Sequence, residues 1–565
     1  NLALPDSRPR LRKICNFLLI LGFLLLFIVR FVAEHPMDFY FLADNFWELF
    51  YPESLSLVAA SISLEQLLTA SNVLLVLCFV AFGTKALERW PPTKHRIANL
   101  LGTCFVLLLV TMTCFYPCSD LTFFVRTGFD YCLGRYSYPG LPTAEQYPYV
   151  QQAETQTHAA DASLRPHIFL IMMESFNANF VEAKTPDGRE YIPNFNQLLR
   201  EGVYLERFYG NSIQTSRGQI PTLCSILPSF WGKIHTDFPK LRMQSIASVL
   251  QANGYRTLFF EGQPSLEYDR TGEFMLENGF DEAYGMDHQF VTDEDLPFQW
   301  GWGLQDNLLY RKVFSKLDEI IANSATEETG QPLFTTICTT SHHMPFNEMP
   351  EDQRYLYAKP SSKKQWFANS IFLADKYLAE FFEQLADHPQ FENSMVIITG
   401  DHSFPAGEHG NYYNETGFFE ENFRVPLLII WNEQLPPKRI QEGAHSQLDI
   451  APTIVDLLDI QTKHHFQGQS VFALEEIENR AVQMIQPYDG THLCVVKYPW
   501  KYVQSVRVSG EYLFNLETDP TEQHNVIDDY RGSNIIKDFE HEVLHIHLNQ
   551  YLIKNNRIWP EAASR

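Results

Sequence analysis

The amino-acid sequence predicts an α/β protein in which a mostly parallel sheet is sandwiched by helices. Three observations lead to this class. Short apolar runs typical of buried strands alternate with amphipathic runs typical of helices over residues 166–495. Residues 496–565 contain shorter strand-like runs and then a polar helical stretch, which indicates a small C-terminal α+β subdomain and tail. Residues 1–132 are far more apolar and predict a preceding transmembrane helical region.

The transmembrane prediction depends on three long apolar runs, at 14–33, 67–83 and 97–116. Each approaches the roughly 20 residues that a helix needs to cross a bilayer, and a buried core helix is the alternative for each. Lys and Arg precede the first run and separate the second from the third, whereas 34–66 contains neither. Because basic residues favour the cytoplasmic side, we expect everything after residue 116 to be extracytoplasmic. The sequence leaves open further spans before Asn1.

Charge and cysteine content limit the environment of the large domain. The chain has 43 Lys and Arg against 68 Asp and Glu, a net charge of -25, so no extended basic face can neutralise the phosphates of a nucleic acid. Cys118 and Cys132 lie just beyond the third apolar run, where an oxidising compartment would permit a disulfide; the pairing stays open.

Residues 133–165 are rich in Pro, Gln, Thr and Ala and predict a juxtamembrane linker. Beyond the linker, apolar runs predict strands at 167–173, 255–260, 333–338, 395–399 and 425–431. Helical periodicity predicts helices at 194–201, 245–253, 366–384 and 446–458. In the tail we expect antiparallel strands at 498–506 and 511–515 and a helix from about Asn534.

Two of the predicted strands end in residues that can bind a metal ion. Glu174 follows the first strand directly, and Asp401-His402 follows the strand at 395–399. Because the carboxyl ends of parallel strands form the site of an open α/β sheet, we expect these side chains to meet. Two carboxylates and an imidazole, with one hydroxyl oxygen, suit Mn²⁺, Mg²⁺ or Zn²⁺. For each residue taken singly, a helix cap or a surface ion pair is the alternative.

A hydroxyl nucleophile is the natural partner of such a metal site. Thr215 precedes the apolar stretch 220–227 and is placed at a predicted helix start. Backbone N–H groups there would stabilise both an alkoxide and an incoming phosphate. Together with a metal, this arrangement predicts transfer of a phosphoryl or sulfuryl group. An ordinary Thr cap is the alternative reading of the local sequence.

Four further residues, three histidines and one arginine, are candidates for contact with an anionic substrate. His342 and His343 follow the strand at 333–338, and because adjacent residues face different ways we expect only one of them in the site. Arg270 could hold a phosphate by a two-pronged hydrogen bond, with a surface salt bridge as the alternative. His409, on a glycine-rich loop, is a weaker candidate.

At these residues the chain resembles the sulfatase/alkaline-phosphatase-like superfamily. Within that superfamily it is most similar to membrane-anchored phosphoglycerol transferases of the lipoteichoic acid synthase type. The resemblance covers roughly 167–525, with matching segments at 167–176, 192–209, 214–228, 341–346, 399–403 and 447–453, and a sulfatase-like C-terminal segment at 512–525.

The resemblance implies a fold, a metal site and a nucleophile. It makes Glu174, Thr215, Asp401 and His402 the ligands of one divalent ion, with Mn²⁺ preferred and Mg²⁺, Zn²⁺ or Ca²⁺ as alternatives. Thr215 is then also the nucleophile, and His343, before Met344-Pro345-Phe346, falls at a substrate-contacting position.

Two departures from the family pattern bear on the reaction. Sulfatases make a formylglycine from Cys or Ser, but Ile213 stands where that Cys would be and Thr215 cannot become formylglycine. This favours phosphoryl transfer over sulfate hydrolysis. The Trp and Arg that contact phosphoglycerol in the Gram-positive synthases have no clear match at 261–270, which leaves the head group open.

The resemblance therefore predicts a multi-pass enzyme of the bacterial cytoplasmic membrane with its catalytic domain outside. We expect it to move phosphoglycerol, or a related head group such as phosphoethanolamine, from a phospholipid to a hydroxyl on a glycan, glycerol or envelope polymer through a phospho-threonine. A phosphodiesterase or sulfatase of the same fold is one alternative. A non-catalytic lipid sensor is another, although it would not need all four site residues. The oligomeric state stays open.

Overall fold

The computed structural model describes residues 44–45, 147–152, 164–286, 290–292, 294–295, 300–324, 331–473, 480–507 and 510–560. The chain divides into two compact units, Asn1–Tyr136 and Ser137–Arg565, and the architecture below is that of the second unit. Among the described residues no helix combines the length and apolarity needed to cross a membrane. The apolar runs 14–33, 67–83 and 97–116, and Cys118 and Cys132, lie outside the described residues.

Eight strands form the central sheet. In chain order they are β1 (Ile168–Met173), β2 (Val203–Leu205), β3 (Arg256–Glu261), β4 (Glu282–Tyr284), β5 (Leu333–Cys338), β6 (Met395–Gly400), β7 (Leu427–Trp431) and β8 (Lys438–Ile440). Their order across the sheet is β8-β2-β7-β6-β1-β5-β3-β4. The five predicted strands of this region correspond to β1, β3, β5, β6 and β7.

The central sheet is mostly parallel, as predicted, and one antiparallel strand, β7, makes it a mixed sheet. β6, β1, β5, β3 and β4 run parallel to one another, whereas β7 is antiparallel to both of its neighbours, β6 and β2. Between Gly400 and Leu427 the only α-helix is the four-residue Glu420–Phe423. A parallel connection needs a full crossover, usually a longer helix, so this segment returns the chain in the opposite direction.

Eleven α-helices accompany the strands in the part of the chain that the structure describes. They are α1 (Pro193–Leu198), α2 (Thr215–Cys224), α3 (Ile234–Asp237), α4 (Ile246–Ala252), α5 (Thr271–Glu277), α6 (Asp306–Ser324), α7 (Lys363–Asp387), α8 (Glu420–Phe423), α9 (Ile450–Leu457), α10 (Ile527–Tyr530) and α11 (Asn534–Lys554). The four helices predicted within 166–495 correspond to α1, α4, α7 and α9, and α11 begins at the predicted residue. The sequence analysis missed α6.

The helices cover both faces of the sheet, as predicted, because every residue of β1 is buried. Alternate side chains of a strand point to opposite faces. Phe169 packs against Phe314 of α6 and Phe381 of α7 on one face. Leu170 belongs to the core on the other face, which includes Ile220 of α2 and residues of α4 and α9. The result is a three-layered α/β/α sandwich.

A second, smaller sheet lies at the C-terminus. It contains β9 (Val482–Gln486), β10 (His492–Lys497), β11 (Trp500–Ser505) and β12 (Glu511–Asn515), all antiparallel and in that spatial order. Helix α11 packs on it, with Phe539 stacked on Tyr502. The boundary at residue 496 expected from the sequence falls inside β10. Two short ladders complete the strands, Gln151–Gln152 with Lys463–His464 and Phe208–Tyr209 with His445–Ser446.

Candidate active site

The carboxyl edge of the sheet brings two acidic residues together. Glu174 follows β1 and Asp401 follows β6, and these strands are parallel neighbours with Met173 opposite Gly400. Both carboxylates and the adjacent His402 are almost wholly buried, each with less than a twentieth of its surface exposed. Charged side chains therefore follow the apolar strands at a buried edge of the sheet. Burying a carboxylate there without a counter-charge costs free energy.

The three side chains converge on one point. The Nε2 atom of His402 lies 3.5 Å from Glu174 Oε1 and 3.5 Å from Asp401 Oδ2. The Nδ1 atom of His402 lies 2.9 Å from the carbonyl oxygen of Ser403. That carbonyl can only accept, so Nδ1 carries a proton and Nε2 is the ring nitrogen that faces the two carboxylates and could bind a cation.

Asp401 is held so that one of its oxygens stays available. Its Oδ1 accepts hydrogen bonds from the backbone N–H groups of Ser175, at 2.9 Å, and His402, at 2.7 Å. Its Oδ2 is buried and has no hydrogen-bond partner. Buried polar atoms are nearly always satisfied in folded proteins, so an orphaned carboxylate oxygen in a cluster of ligand atoms indicates a site for a cation.

The charges of the cluster also indicate a site for a cation. Burial, reinforced by the neighbouring Asp401, raises the pKa of the Glu174 carboxyl well above its ordinary value. The ligand atoms of Glu174, Asp401 and His402 all lie within 4.8 Å of one another. Two carboxylates and one imidazole nitrogen suit a hard or borderline divalent ion. The residues present therefore fit the metal ion that the sequence predicts.

Thr215 completes this cluster from the other side. It is the first residue of α2, and its Oγ1 lies 3.3 Å from Glu174 Oε2. Unlike the other three side chains it is half-buried, which leaves its hydroxyl open to a substrate. The positive end of the α2 dipole lies at this residue and stabilises negative charge on the oxygen.

A glycine allows α2 to come this close to the sheet. A Cβ atom on Gly218 would lie 1.8 Å from the carbonyl oxygen of Asp401. Real contacts of that kind do not occur, so any side chain at this position would push α2 away from the end of β6. Gly218 is one helical turn after Thr215, and it therefore sets the distance between the hydroxyl and the carboxylates.

The two adjacent histidines have different surroundings, as expected. His343 is half-buried, stacks on Trp302 with ring centroids 5.0 Å apart, and holds its Nδ1 2.5 Å from the carbonyl oxygen of Met344. Burial lowers the pKa of His343 to about 4. His342 is buried against Phe367, and neither of its ring nitrogens has a hydrogen-bond partner. The substrate-contacting role of His343 stays a prediction.

Arg270 and His409 are engaged elsewhere. Arg270 donates from Nε to Glu273 at 2.9 Å and from Nη1 to the carbonyl oxygen of His235 at 3.1 Å. His409 has its Nδ1 2.8 Å from Glu421 Oε1 and stacks on Phe419. Within the part of the chain that the structure describes, neither side chain forms a hydrogen bond with Glu174, Asp401 or His402. A phosphate-binding role for Arg270 therefore also stays a prediction.

Three buried polar residues around the cluster escaped the sequence analysis. Glu261 ends β3, and its carboxylate accepts hydrogen bonds from Gln219 of α2, at 3.3 Å, and Gln263, at 2.5 Å. The Thr339 hydroxyl accepts the N–H of Glu174 at 3.0 Å, and Asn414 Nδ2 lies 3.5 Å from His402 Nδ1. Glu261 ends an apolar run as Glu174 does, so the same signal could have found it.

A second group of possible metal ligands differs from this cluster in its exposure. His541, Glu542 and His545 on α11 also have ligand atoms within 4.8 Å of one another. Both histidines are exposed, and Glu542 already pairs with Lys497 at 2.9 Å. Because this carboxylate has its own counter-charge, the helix surface does not share the uncompensated burial that marks the Glu174 cluster.

Solved structures share this architecture. A protein of the alkaline phosphatase superfamily from Vibrio parahaemolyticus superposes with a TM-score of 0.59 and 19% identity, covering 75% of this chain and 93% of that chain. The lipoteichoic acid synthase LtaP from Listeria monocytogenes superposes with a TM-score of 0.57 and 21% identity, covering 74% and 96%. The fold is therefore that of the alkaline phosphatase superfamily.

Within this class, the sulfatase family matches residues 166–460. The C-terminal domain of N-sulphoglucosamine sulphohydrolase matches residues 407–549. The first match covers more than half of the chain, and the chain belongs to the sulfatase family.

Curated relatives refine the comparison. Lipoteichoic acid synthase 2 of Bacillus subtilis (strain 168) is 20% identical over 387 residues, which are 66% of this chain and 55% of that protein. Phosphoglycerol transferase I of Xanthomonas campestris pv. campestris (strain B100) is 21% identical over 322 residues, 55% of this chain and 43% of that protein. The chain thus spans about half the length of these relatives. The resemblance predicted from the sequence is confirmed.

Proposed function

We propose that the protein is a metal-dependent phosphotransferase that moves phosphoglycerol, or a related phospho-head-group, from a membrane phospholipid to a hydroxyl acceptor of the cell envelope. The observation that carries the proposal is the Thr215 hydroxyl 3.3 Å from Glu174, at a buried cluster with Asp401 and His402. Relatives named lipoteichoic acid synthase and phosphoglycerol transferase support this reaction class.

The cluster and α2 together activate the nucleophile. Glu174, Asp401, His402 and Thr215 would hold the divalent ion, which supplies positive charge that favours the alkoxide form of the Thr215 hydroxyl. The N-terminus of α2 adds its own partial positive charge at the same oxygen. Glu174, Asp401 and His402 are buried. Because burial excludes water, the attraction of the ion and of the helix dipole for the Thr215 oxygen is stronger than it would be in solvent.

The transfer then has two halves. In the first, Thr215 Oγ1 bonds to the phosphorus of the head group, the bond from phosphorus to the diacylglycerol oxygen breaks, and diacylglycerol takes up a proton as it leaves. In the second, an acceptor hydroxyl displaces Oγ1 from phosphorus and loses its proton. Such a covalent intermediate divides one difficult displacement into two easier ones.

His343 suits the second half. Its Nδ1 faces the Met344 carbonyl oxygen, so Nδ1 carries the proton and Nε2 presents a lone pair. With its pKa lowered to about 4 by burial, the imidazole is neutral at pH 7, so its Nε2 can accept a hydrogen bond from the acceptor hydroxyl and orient it toward phosphorus. The membrane location that brings donor and enzyme together is proposed from the apolar runs at 14–33, 67–83 and 97–116.

A hydrolase of the same fold is the second candidate, because the sulfatase family is the one that matches. Water would then replace the acceptor hydroxyl. Thr215 and Ile213 stand where a sulfatase needs its formylglycine motif, so a phosphodiesterase is the better form of this alternative. Product analysis with and without a glycan or glycerol acceptor separates transfer from hydrolysis.

The first experiment is intact-mass analysis of the full chain after incubation with phosphatidylglycerol and Mn²⁺, beside a Thr215→Ala variant. We expect one added phosphoglycerol on the parent and none on the variant. Metal content is measured on both samples. If the metal-loaded parent gains no mass with phosphatidylglycerol or phosphatidylethanolamine, the covalent mechanism is wrong.

A further inference from the structure

The segment that leads into the nucleophile helix is held by the C-terminal sheet. The N–H of Ile485, on β9, donates to the carbonyl oxygen of Asn211 at 2.8 Å. Asn211 Nδ2 donates to the carbonyl oxygen of Gln483 at 2.7 Å, and the Ser212 hydroxyl donates to that of Ile485 at 2.7 Å. β9 is an edge strand of its sheet, and this edge is therefore paired with the chain just before Thr215.

One side chain from the same subdomain reaches the residue next to the nucleophile. The buried Tyr488, which follows β9, donates its hydroxyl to Gln214 Oε1 at 3.1 Å. Its ring also lies 5.6 Å from the guanidinium carbon of Arg217, in the first turn of α2. Tyr488 therefore contacts residues on both sides of Thr215 in the sequence.

The backbone of Gln214 needs such support. Its φ is 71° and its ψ is 143°, close to a region that only glycine occupies without strain. A strained residue keeps its conformation only when the surrounding structure determines it. Because Gln214 immediately precedes Thr215, its backbone sets the direction from which the Thr215 hydroxyl approaches Glu174.

β9 also supports the opposite side of the cluster. Gln486 Nε2 donates to the carbonyl oxygens of Asn414, at 2.8 Å, and Gly417, at 2.9 Å. The side chain of Asn414 is the one that lies beside His402 Nδ1. A single strand of the C-terminal subdomain thus holds both the nucleophile segment and the loop next to a metal ligand.

We propose that Tyr488 is a positioning residue contributed by the C-terminal subdomain, whose hydroxyl holds Gln214 in its strained conformation and so aims the Thr215 hydroxyl at Glu174. The inference rests on the proposed function for its kinetic consequence, but the placement of Thr215 can be measured without turnover. Tyr488 does not touch the reacting atoms. Its effect passes through Gln214.

The test compares Tyr488→Phe with Tyr502→Phe in the full chain. Tyr502 is a matched control, because it is buried in the same subdomain and its hydroxyl donates to Glu511 at 3.3 Å. We expect Tyr488→Phe to lower kcat about tenfold or more with KM for the phospholipid unchanged, since a small misplacement of a reacting group is costly. We expect Tyr502→Phe to change kcat less than about twofold.

A double-mutant cycle shows whether the effect passes through Gln214. In a Gln214→Ala background the hydrogen bond between the two side chains is already lost, so Tyr488→Phe should lower kcat no further through Gln214. If Tyr488→Phe lowers kcat by the same factor in both backgrounds, or is as active as Tyr502→Phe, the positioning role is wrong.

A readout independent of activity separates this proposal from the proposed function. The ¹³C-methyl resonance of Thr215, assigned by its loss in Thr215→Val, should shift or broaden in Tyr488→Phe and stay in place in Tyr502→Phe. An unchanged resonance in Tyr488→Phe overturns the positioning role. A changed resonance in a protein whose wild type transfers no head group supports the positioning role and rejects the proposed function.

Discussion

Two buried clusters of carboxylates in this protein are built in opposite ways. At the C-terminal subdomain, Lys501 is fully buried between two acidic residues, with its Nζ 2.8 Å from Glu522 Oε1 and 3.2 Å from Glu420 Oε1. The Tyr209 hydroxyl also donates to Glu420, at 2.8 Å. The charges of this cluster are balanced by a side chain of the protein itself.

At the carboxyl edge of the central sheet the balance is missing. Glu174 and Asp401 are as deeply buried as Glu522 and Glu420, but within the described residues no Lys or Arg lies within 4.0 Å of either carboxylate. Their one ionisable neighbour in the cluster is His402, whose Nε2 lies 3.5 Å from an oxygen of each carboxylate.

The difference separates a structural cluster from a functional one. A buried carboxylate pair with its own ammonium group needs nothing further and ties two parts of the fold together. A buried pair without a counter-charge raises the free energy of the folded state unless a proton neutralises one carboxylate or a cation binds to both, which suits such a pair to a ligand.

Asp401→Asn should remove activity but leave the fold intact. The amide oxygen can keep the hydrogen bonds from Ser175 and His402, and the amide nitrogen replaces an oxygen that had no partner. We expect kcat to fall at least about 100-fold, because a proposed ligand of the metal ion is lost. The free energy of unfolding without metal should be unchanged or higher, since one of two repelling charges is gone.

Asp375→Asn is the control for this variant. Asp375 is also buried, but its carboxylate accepts the N–H groups of Asn194, at 2.9 Å, and Phe195, at 2.7 Å, in the helical layer. Its replacement should lower stability and leave kcat per folded molecule close to wild type. Loss of stability in Asp401→Asn equal to that in Asp375→Asn would contradict the contrast between the two clusters.

Lys501→Met should destabilise the protein by about 3 kcal/mol or more, because it removes the ammonium group from the buried Glu522 and leaves Glu420 with Arg424 at 3.7 Å. Urea unfolding of the metal-loaded protein measures the effect. Lys497→Met is the matched control, since Lys497 pairs with the exposed Asp538 and the half-buried Glu542, and its loss should cost less than about 1 kcal/mol. If the two variants lose the same free energy of unfolding, burial does not determine how much these ion pairs contribute to stability.

Chelation should lower the melting temperature of the parent. A ligand present at about 100 times its Kd adds about 2.7 kcal/mol to the stability of the state that binds it, and removing it reverses this. Differential scanning calorimetry with EDTA, and then with added Mn²⁺, measures the shift. In Asp401→Asn the shift should be much smaller, and an equal shift in both proteins would place the bound metal elsewhere.

The smallest expected effect is a pH dependence at the structural cluster. Burial raises the pKa of Glu522 from 4.5 to about 7 in the folded protein. The folded state therefore holds a proton that the unfolded state has released between pH 4.5 and 7, and this group's contribution to stability falls as pH rises through that window.

Glu522→Gln isolates this contribution. The amide does not titrate, so the fall in unfolding free energy between pH 5 and about 7, on the order of 1 kcal/mol or more, should be smaller in the variant than in the parent. Chemical unfolding at a series of pH values in EDTA measures both proteins. Identical pH profiles would mean that Glu522 titrates normally in the folded state.

Much of the fold and of the candidate site could be predicted from local patterns. Apolar runs with strand propensity located β1, β3, β5, β6 and β7, and the rule that parallel strands present their carboxyl ends together brought Glu174 and Asp401 to one place. The position of Thr215 followed from a helix start. These features depend on neighbours in the sequence or on a general rule of α/β sheets.

Other features were beyond this reasoning because their causes lie far apart in the chain. The hydrogen bond between Tyr488 and Gln214 joins residues 274 positions apart, and the antiparallel direction of β7 depends on how the chain returns after β6. No sequence pattern near Arg270 predicts that its guanidinium donates a hydrogen bond to the carbonyl oxygen of His235.

Periodicity and propensity act over a few residues, and they were enough to predict the α/β class, the strand-end carboxylates and the hydroxyl at the helix start. Which buried charges are compensated depends instead on tertiary packing. In the folded protein Lys501 lies between Glu420 and Glu522. Glu174 and Asp401 instead lie beside His402 and the half-buried Thr215. Compensation is a matter of distances within about 4 Å, and packing sets those distances across hundreds of residues.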